Sequence, residues 1–411
     1  MSEIYVVGVG MTAFGRLMDQ SVKSLTKQAV QAALVDAGAR REDIGAAFFA
    51  NTSQAPIEGQ YMIPGEIALR EMGFSEVPIS NVENACASAS TAFHLAYTHL
   101  KAGLSEIALA VGAEKMISDD KSKSMAIFDG AWDVHSVDAT TARLLAMGEG
   151  ISPPPGREMG SDKRSVFMDV YAAMAKFHMK MFGTTERQLA AVSAKNHRHS
   201  TFNPLAQYRN EMSIEDVLGA RMIAWPLTLP MCAPISDGAA AAILVREEAL
   251  DRFDRARAVK VCASVLGSGS DRKPEEVEKH ICRRLALKAY DQAGIGPKDV
   301  SVAEVHDASA FGEIVQLENL GFCDFGEGGR LAEPGETALG GRIPVNPSGG
   351  LESKGHPIGA TGLAQIYELV LQLRGEAAER QVDHARFAIA ENGGGFHGYE
   401  EASACLTILG R

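Results

Sequence analysis

No apolar run in the 411 residues approaches the ~20 needed to cross a bilayer, and Ala46–Phe49 and Ile107–Val111 are short enough to be buried strands. The amino-terminal stretch MSEIYVVGVGMTAF has no basic leader ahead of its apolar residues, so it reads as a first strand and not as a secretion signal. The six cysteines, Cys86, Cys232, Cys262, Cys282, Cys323 and Cys405, include no Cys-x-x-Cys pair. That pattern excludes a zinc ribbon and, at this length, a secreted disulfide framework, so no metal is expected and the compartment is a reducing cytoplasm. Acidic residues outnumber basic ones, for a formal net charge of −12, which argues against nucleic acid as a partner. The glycine run at Gly393–Gly395 is not followed by Gly-Lys-Ser/Thr and opens no helix, so it is not a phosphate loop.

What the chain does have is an internal repeat. AALVDAGARREDI at Ala32–Ile44 matches KAYDQAGIGPKDV at Lys288–Val300 with an offset of 256, which places Ala37-Gly38 on Ala293-Gly294 and Asp43 on Asp299. Further on, CASASTAFHLAY from Cys86 superposes on HPIGATGLAQIY from His356 with an offset of 270, pairing Thr91 with Thr361 and Tyr97 with Tyr367. A duplication that offers a thiol from one half and an imidazole from the other suits nucleophilic catalysis at a shared site.

Each copy reads as alternating strands and helices, which predicts an α/β fold of mixed sheets covered by helices. Copy one has a strand at Ile4–Gly8, a helix over Ser24–Ala37, a strand at Ala46–Ala50, the Cys86 helix to about Gly103 and a strand at Ile107–Gly112. Copy two repeats the order with a helix at Ile281–Ala293, a strand at Ala303–Val305, helices at Phe311–Leu320 and Gly359–Leu373, and a strand at Phe387–Ala390. Both copies close on similar strands, Gly238–Arg246 and Ser403–Arg411. A large insertion with loops such as SPPPG at Ser152–Gly156 interrupts copy one, and copy two carries its own glycine-rich stretch, Cys323–Arg342. The expected division is residues 1–118 plus 232–255 as the amino-terminal half, 119–231 as an inserted loop domain that binds substrate, and 256–411 as the carboxy-terminal half.

Cys86 opens a helix of small residues, where free N–H groups and the helix dipole favour a thiolate. A buried structural cysteine is the competing reading. His356 lies among glycines 349, 350, 355, 359 and 362, with Pro357 at the expected first helical position. A neutral imidazole there would be a base for the thiol. His306-Asp307 follows a strand of copy two at its carboxyl end, where α/β folds commonly build sites. The Glu391–Gly398 loop, through Gly393, could bring backbone N–H groups to an oxyanion, with a plain tight turn as the alternative.

These residues together resemble the thiolase superfamily over essentially the whole chain. The Cys86 segment resembles the nucleophile loop, GGLESKGHPIGATG the histidine block, and SDGAAAAILV at Ser236–Val245 the strand closing the amino-terminal domain. Within that superfamily the sterol-carrier-protein-type thiolases, or acetyl-CoA acetyltransferase-like subgroup, are most similar. Their His-Asp-Cys-Phe motif corresponds to His306-Asp307-Ala308-Ser309, and Phe182–Arg209 is similar to their loop domain. The resemblance implies a duplicated βαβαβαββ core with two mixed five-stranded sheets in an α-β-α-β-α stack.

It also implies an acyltransferase that cleaves a 3-ketoacyl-CoA with CoA, or runs the reverse condensation, through an acyl-Cys86 intermediate. His356 would be the base, His306 would polarise the thioester carbonyl, and the Cys86 and Gly393 N–H groups would form the oxyanion site. Coenzyme A enters as a substrate and no cofactor is permanently bound. Lys195, Arg198, Ser348 and Gly349 are the candidate contacts for CoA or substrate; the first two lie in an insertion with ten basic and seven acidic residues over 157–221. A solvated basic helix face is the competing reading there. The second acid–base cysteine of thiolases is absent, with Glu391 and Ala308 at its two family positions, so His356, Glu391 and His306 are the candidates for that proton. A retro-aldol lyase acting on CoA-linked side chains, or a non-catalytic acyl-CoA-binding subunit, are the alternatives. A homodimer is implied, as is a small OB-fold, zinc-ribbon partner like those of some relatives; no membrane association is expected.

Overall fold

The computed structural model describes residues 2–155, 157 and 165–411. Gly156, the last residue of the SPPPG loop, and residues 158–164 of the basic insertion lie outside them. The first copy comprises β1 (Ile4–Met11), α1 (Val22–Ala37), β2 (Ala46–Ala50), α2 (Gln54–Glu58), α3 (Pro64–Glu71), β3 (Ile79–Val82), α4 (Ser88–Lys101) and β4 (Ile107–Glu114). The insertion supplies α5 (Lys121–Asp129), α6 (Val137–Leu145), α7 (Val166–Phe182), α8 (Glu186–Thr201), α9 (Ile214–Gly219) and a small hairpin, β5 (Met222–Ala224) and β6 (Leu227–Thr228). Then come β7 (Gly238–Arg246), β8 (Val259–Ser268), α10 (Ile281–Ala293), β9 (Val302–Glu304), α11 (Ala310–Asn319), α12 (Gly328–Ala332), α13 (Thr361–Arg374), β10 (Phe387–His397) and β11 (Glu400–Gly410).

The strands run β3-β2-β4-β7-β1-β8-β11-β10-β9 in one sheet. This corrects the expected pair of five-stranded sheets. The first half supplies five strands and the second four, joined where β1 meets β8 at Tyr5–Lys260 and Val6–Val259. The fifth strand of the second half is reduced to a single bridge between Ala303 and Val345. Its neighbours Pro344 and Asn346 are tied to Ala303 by backbone hydrogen bonds, so only that short stretch continues the sheet.

The layering follows from where apolar side chains face. Helices α4 and α13 share a core with inward residues of both halves, including Phe93, Leu100, Leu363 and Leu369. Helices α1 and α3 cover the outer face of the first half, and α10 and α11 that of the second. Full burial of a side chain such as Phe93, which is 0% exposed, contributes about 1.5–3 kcal/mol.

Helix α1 starts at a Ser21–Ser24 capping box and stops at left-handed Gly38. It reaches β1 closely because Gly8 and Gly10 lack side chains: a Cβ on either would fall 2.4 or 2.3 Å from a carbonyl oxygen of Ala33 or Ala29. The central helices approach in the same way, since a Cβ on Gly362 would lie 2.6 Å from the Ser90 nitrogen. The small residues after Cys86 and His356 therefore set the distance between the two copies.

Candidate active site

Cys86 sits in the turn just before α4, not within its first helical turn. Ala85 adopts left-handed backbone angles, φ 48°, and the turn closes through Ala87 N–H to Asn84 O and Ser88 N–H to Ala85 O. Left-handed geometry at a residue with a Cβ costs about 1–2 kcal/mol and is retained where surroundings demand it. Here those surroundings are Asn84, whose side-chain amide donates to Thr91 Oγ1 at 3.0 Å, and Gly394, whose missing Cβ would meet Asn84 O at 2.3 Å.

His356 also precedes its helix. Pro357 is extended, a tight turn follows, and α13 starts only at Thr361, so Pro357 is not the first helical residue. The His356 N–H donates to Ser236 Oγ at 2.9 Å, and Nδ1 lies 2.7 Å from Thr361 Oγ1. The Thr361 hydroxyl donates to Pro357 O at 3.0 Å. Nδ1 must then carry the ring proton and donate to Thr361, leaving Nε2 free to accept one.

The fold brings three predicted residues together. The Cys86 sulfur and a ring nitrogen each of His306 and His356 lie within 4.8 Å of one another, and the two imidazoles meet edge to face with centroids 5.3 Å apart. All three line a cavity of about 770 Å³. Burial, then His306 and Lys354, hold His356 well below the ordinary histidine range; burial lowers His306 to about 4. Both rings are neutral near pH 7. Nε2 of His306 is buried with no hydrogen-bond partner among the described residues.

The thiol departs from expectation. Burial pushes Cys86 up to about 12, against the lowering effect of hydrogen bonds from the Gly395 and Cys86 backbone. Desolvation outweighs the helix end, so a base must take the proton as the thiol reacts.

The glycine segment is not a loop. It lies within β10, which stays paired with β11 through Gly393–Ala404 and Gly394–Ser403. Gly393 faces Glu401 and Gly394 faces the Cys86 turn. Of these three glycines, Gly395, left-handed at φ 64°, is the one that lines the cavity and reaches the thiol. Gly395, two residues on from the expected donor Gly393, is thus the one whose backbone bonds the Cys86 thiol.

Glu391 does not line the cavity among the described residues. Its carboxyl accepts the His306 N–H at 2.9 Å and the Cys282 thiol at 3.2 Å, and burial followed by Glu401 raises it to about 8. It positions His306. Asp307 likewise faces away, accepting the Leu351 N–H at 2.7 Å and so holding the segment before His356.

The other candidates also separate. Lys195 is buried, with its ammonium paired with Glu313 and bonded to Val345 O at 2.9 Å. Ser348 donates to Glu304 at 2.7 Å and accepts from Lys354 at 2.8 Å. Gly349, at φ 101°, lies against Ser200. These three serve the scaffold, because the helix period of α8 and the turn before His356 direct them inward. Arg198 alone is exposed, 4.0 Å from Glu211, next to His197, which lines the cavity. Sequence reasoning missed Glu401, which also lines it; its place opposite Phe396 is set by hairpin register.

Residues 4–217 match the thiolase amino-terminal domain and residues 270–411 the thiolase carboxy-terminal domain-like family. The chain belongs to the thiolase family. It is 37% identical to an acetyl-CoA acetyltransferase of Methanothermobacter thermautotrophicus, with all of both chains covered. It is 35% identical to sterol carrier protein 2 of Bos taurus, over 95% of this chain and 70% of that protein. A benzoylsuccinyl-CoA thiolase subunit, BbsB, of Thauera aromatica is 33% identical over 93% of this chain and 91% of the subunit. Among solved structures, an Ltp2-ChsH2(DUF35) aldolase aligns with TM-score 0.76 at 23% identity over 99% of this chain and 97% of that one. Human mitochondrial 3-ketoacyl-CoA thiolase aligns with TM-score 0.67 at 18% identity, covering 100% and 98%. These thiolase matches accord with the α/β layering described above. No helix among the described residues is long and apolar enough to cross a membrane.

Proposed function

We propose that this thiolase-family chain is a CoA-dependent acyltransferase that cleaves a 3-ketoacyl-CoA, or forms one in reverse, through an acyl-Cys86 intermediate. The observation that carries this is the proximity of Cys86, His356 and His306 in one cavity. His356 Nε2 takes the thiol proton as sulfur attacks the 3-keto carbon. The Cys86 and Gly395 N–H groups face the oxyanion that develops there. His306 Nε2 is available to the thioester oxygen of the unit that leaves. Free CoA then attacks acyl-Cys86, so CoA acts as a substrate.

The acyl group is bulky and apolar. Met125, Phe128, Phe167, Met168, Ile223 and Phe396 line the cavity, and Phe167 stacks with Trp132 and Phe396 at centroid distances of 4.5 and 5.8 Å. Such a surface gains by excluding water from an apolar ligand. Arg198 is the remaining candidate for a CoA phosphate. A homodimer in the cytoplasm and a small OB-fold, zinc-ribbon partner complete this reading; the aldolase of similar fold pairs with a DUF35 protein. Copurification as a lone monomer would count against both assembly proposals.

The test is intact-mass analysis after mixing with acetyl-CoA and with aliphatic and aromatic 3-ketoacyl-CoA substrates. An acyl increment on Cys86, and loss of CoA-dependent cleavage in Cys86→Ala, are expected. Cleavage that survives in Cys86→Ala would instead favour lyase chemistry.

A further inference from the structure

Hairpin β10–β11 places Phe396 opposite Glu401, and the Glu401 side chain lies over Gly393. A Cβ on Gly393 would be 2.6 Å from Glu401 Cγ, so the glycine makes room for this carboxyl. Glu401 lines the cavity that also holds Cys86, His306, His356 and Ala308. It shares a second, smaller cavity with His306, Gln316 and His280.

The surrounding groups define its environment. From the start of α10, His280 Nε2 lies 3.2 Å from Glu401 Oε2. His280 Nδ1 accepts the Cys282 N–H at 3.2 Å, so the neutral ring keeps its proton on Nε2, beside Glu401. Burial, with Arg272 and Arg284, keeps that ring neutral. From α11, the Gln316 amide donates to Glu401 Oε1 at 3.4 Å. Glu391 and Cys282, outside the cavity lining, are charge neighbours of Glu401, and Tyr171 of α7 also feels Glu401 and Cys86. Arg272 is held by Glu400 at 2.8 Å, so it does not fully neutralise Glu401. Burial and then Glu400 raise Glu401, against Arg272 and Gln316, to about 7.

We propose that Glu401 is the second acid–base residue of this site, carrying the proton of the thioester α-carbon. This rests on the acyl-transfer reading of Cys86. Ala308 offers no proton, and the Glu391 carboxyl is engaged by His306 and Cys282 outside the cavity.

The protons balance in the cleavage direction. His356 takes the Cys86 proton, the sulfur–carbon bond forms at C3, and the C2–C3 bond breaks. Its electron pair becomes the enolate of acetyl-CoA, or of the substituted thioester that leaves. Glu401 gives its proton to C2 and becomes a carboxylate. In the second half, that carboxylate takes the thiol proton of CoA as sulfur attacks acyl-Cys86. The departing Cys86 thiolate recovers its proton from His356. Both residues are restored, and no oxidant or metal enters.

The test uses the full chain with acetyl-CoA in deuterated buffer. Mass spectrometry follows deuterium entering the thioester methyl group and, separately, acylation of Cys86. Glu401→Gln is expected to retain acyl-Cys86 formation at a reduced rate, because CoA can leave as a thiolate without the Glu401 proton, while methyl exchange falls at least ~100-fold, the usual minimum for losing a positioned proton carrier. Glu401→Asp is expected to recover part of the exchange with a shifted pH profile. Exchange at the wild-type rate in Glu401→Gln would overturn the proposal alone. Loss of both acylation and exchange, without recovery in Glu401→Asp, would show a structural role and also overturn it. A wild-type protein that never acylates Cys86 would overturn the underlying reading and this proposal with it.

Discussion

Glu114, at the end of β4 in the first half, accepts the Gly359 N–H of the second half at 2.7 Å. The same buried carboxyl accepts from Asn51 Nδ2 at 2.8 Å, Thr52 N–H at 3.1 Å and Ser53 N–H at 2.9 Å. One side chain thus fixes the turn that follows His356 to the half that carries Cys86. Glu114→Gln would turn an NH₂ toward N–H donors, so at least one pair becomes repulsive. The expected cost is about 1–3 kcal/mol of folding stability, read from urea denaturation. Slower Cys86 acylation in the folded fraction should accompany it.

The His356 tautomer rests on Thr361. Thr361→Val keeps the shape but removes the oxygen that accepts from Nδ1, 2.7 Å away. The buried ring then has no reason to keep its proton on Nδ1, and Nε2 is less often free to act as base. A fall in kcat of roughly 10–100-fold is expected, consistent with losing part of a general-base contribution. KM should change little. Iodoacetamide modification of Cys86 should slow as well, because the thiol, raised to about 12, depends on that base. An unchanged alkylation rate would show that Thr361 does not orient the ring.

Lys195 separates a stability role from a ligand role. Its ammonium is paired with the fully buried Glu313, and Asn196 and Asn346 also donate to that carboxylate, at 3.1 and 2.8 Å. Lys195→Met leaves a buried carboxylate short of its cation, a change that typically costs about 3–5 kcal/mol. Denaturation should show that loss, while KM for CoA in the folded protein stays as in the wild type. Arg198→Ala should do the reverse, raising KM for CoA with no measurable change in stability. A KM effect confined to Lys195→Met would refute this assignment.

The repeat made much of the fold legible, because duplicated hydrophobic periodicity and shared turn residues survive in the chain itself. Thr91 and Thr361 are paired by it, and both anchor the turns before their helices, Thr91 through Asn84 and Thr361 through His356. Cys86 and His356 were visible for the same reason, and His306 from its place at the carboxyl end of a strand and its resemblance to the family's His-Asp motif. What was hidden depended on the third dimension. Gly393 and Gly395 look alike in sequence, and only the pairing of β10 with β11 and the left-handed turn at Gly395 select which one reaches the thiol. Lys195 and Arg198 are three residues apart on α8, yet packing against α11 and the Val345 segment buries one and leaves the other in water. The thiol's direction of shift was misread because a helix end is a local feature, whereas desolvation comes from everything around it.

Buried carboxyls set how stability changes with pH. Glu391, raised to about 8, and Glu401, raised to about 7, keep in the folded state a proton that an unfolded carboxyl releases near its ordinary 4.5. Between those values the folded chain binds more protons, so these groups add stability at low pH and lose it as pH rises through 7 and 8. Histidines act oppositely. His306, lowered to about 4, and His199, lowered to about 3, favour folding increasingly as pH rises to their ordinary 6.5, above which their effect is constant. Carboxyls therefore dominate between pH 6.5 and 8, and unfolding free energy should decline across that interval. Glu391→Gln has no proton to lose, so it should flatten the decline by on the order of 1 kcal/mol. The comparison is between urea midpoints of the two proteins at pH 6.5 and at pH 8. Equal declines would mean that Glu391 is already ionised in the folded chain, and that His306 is held by a carboxylate.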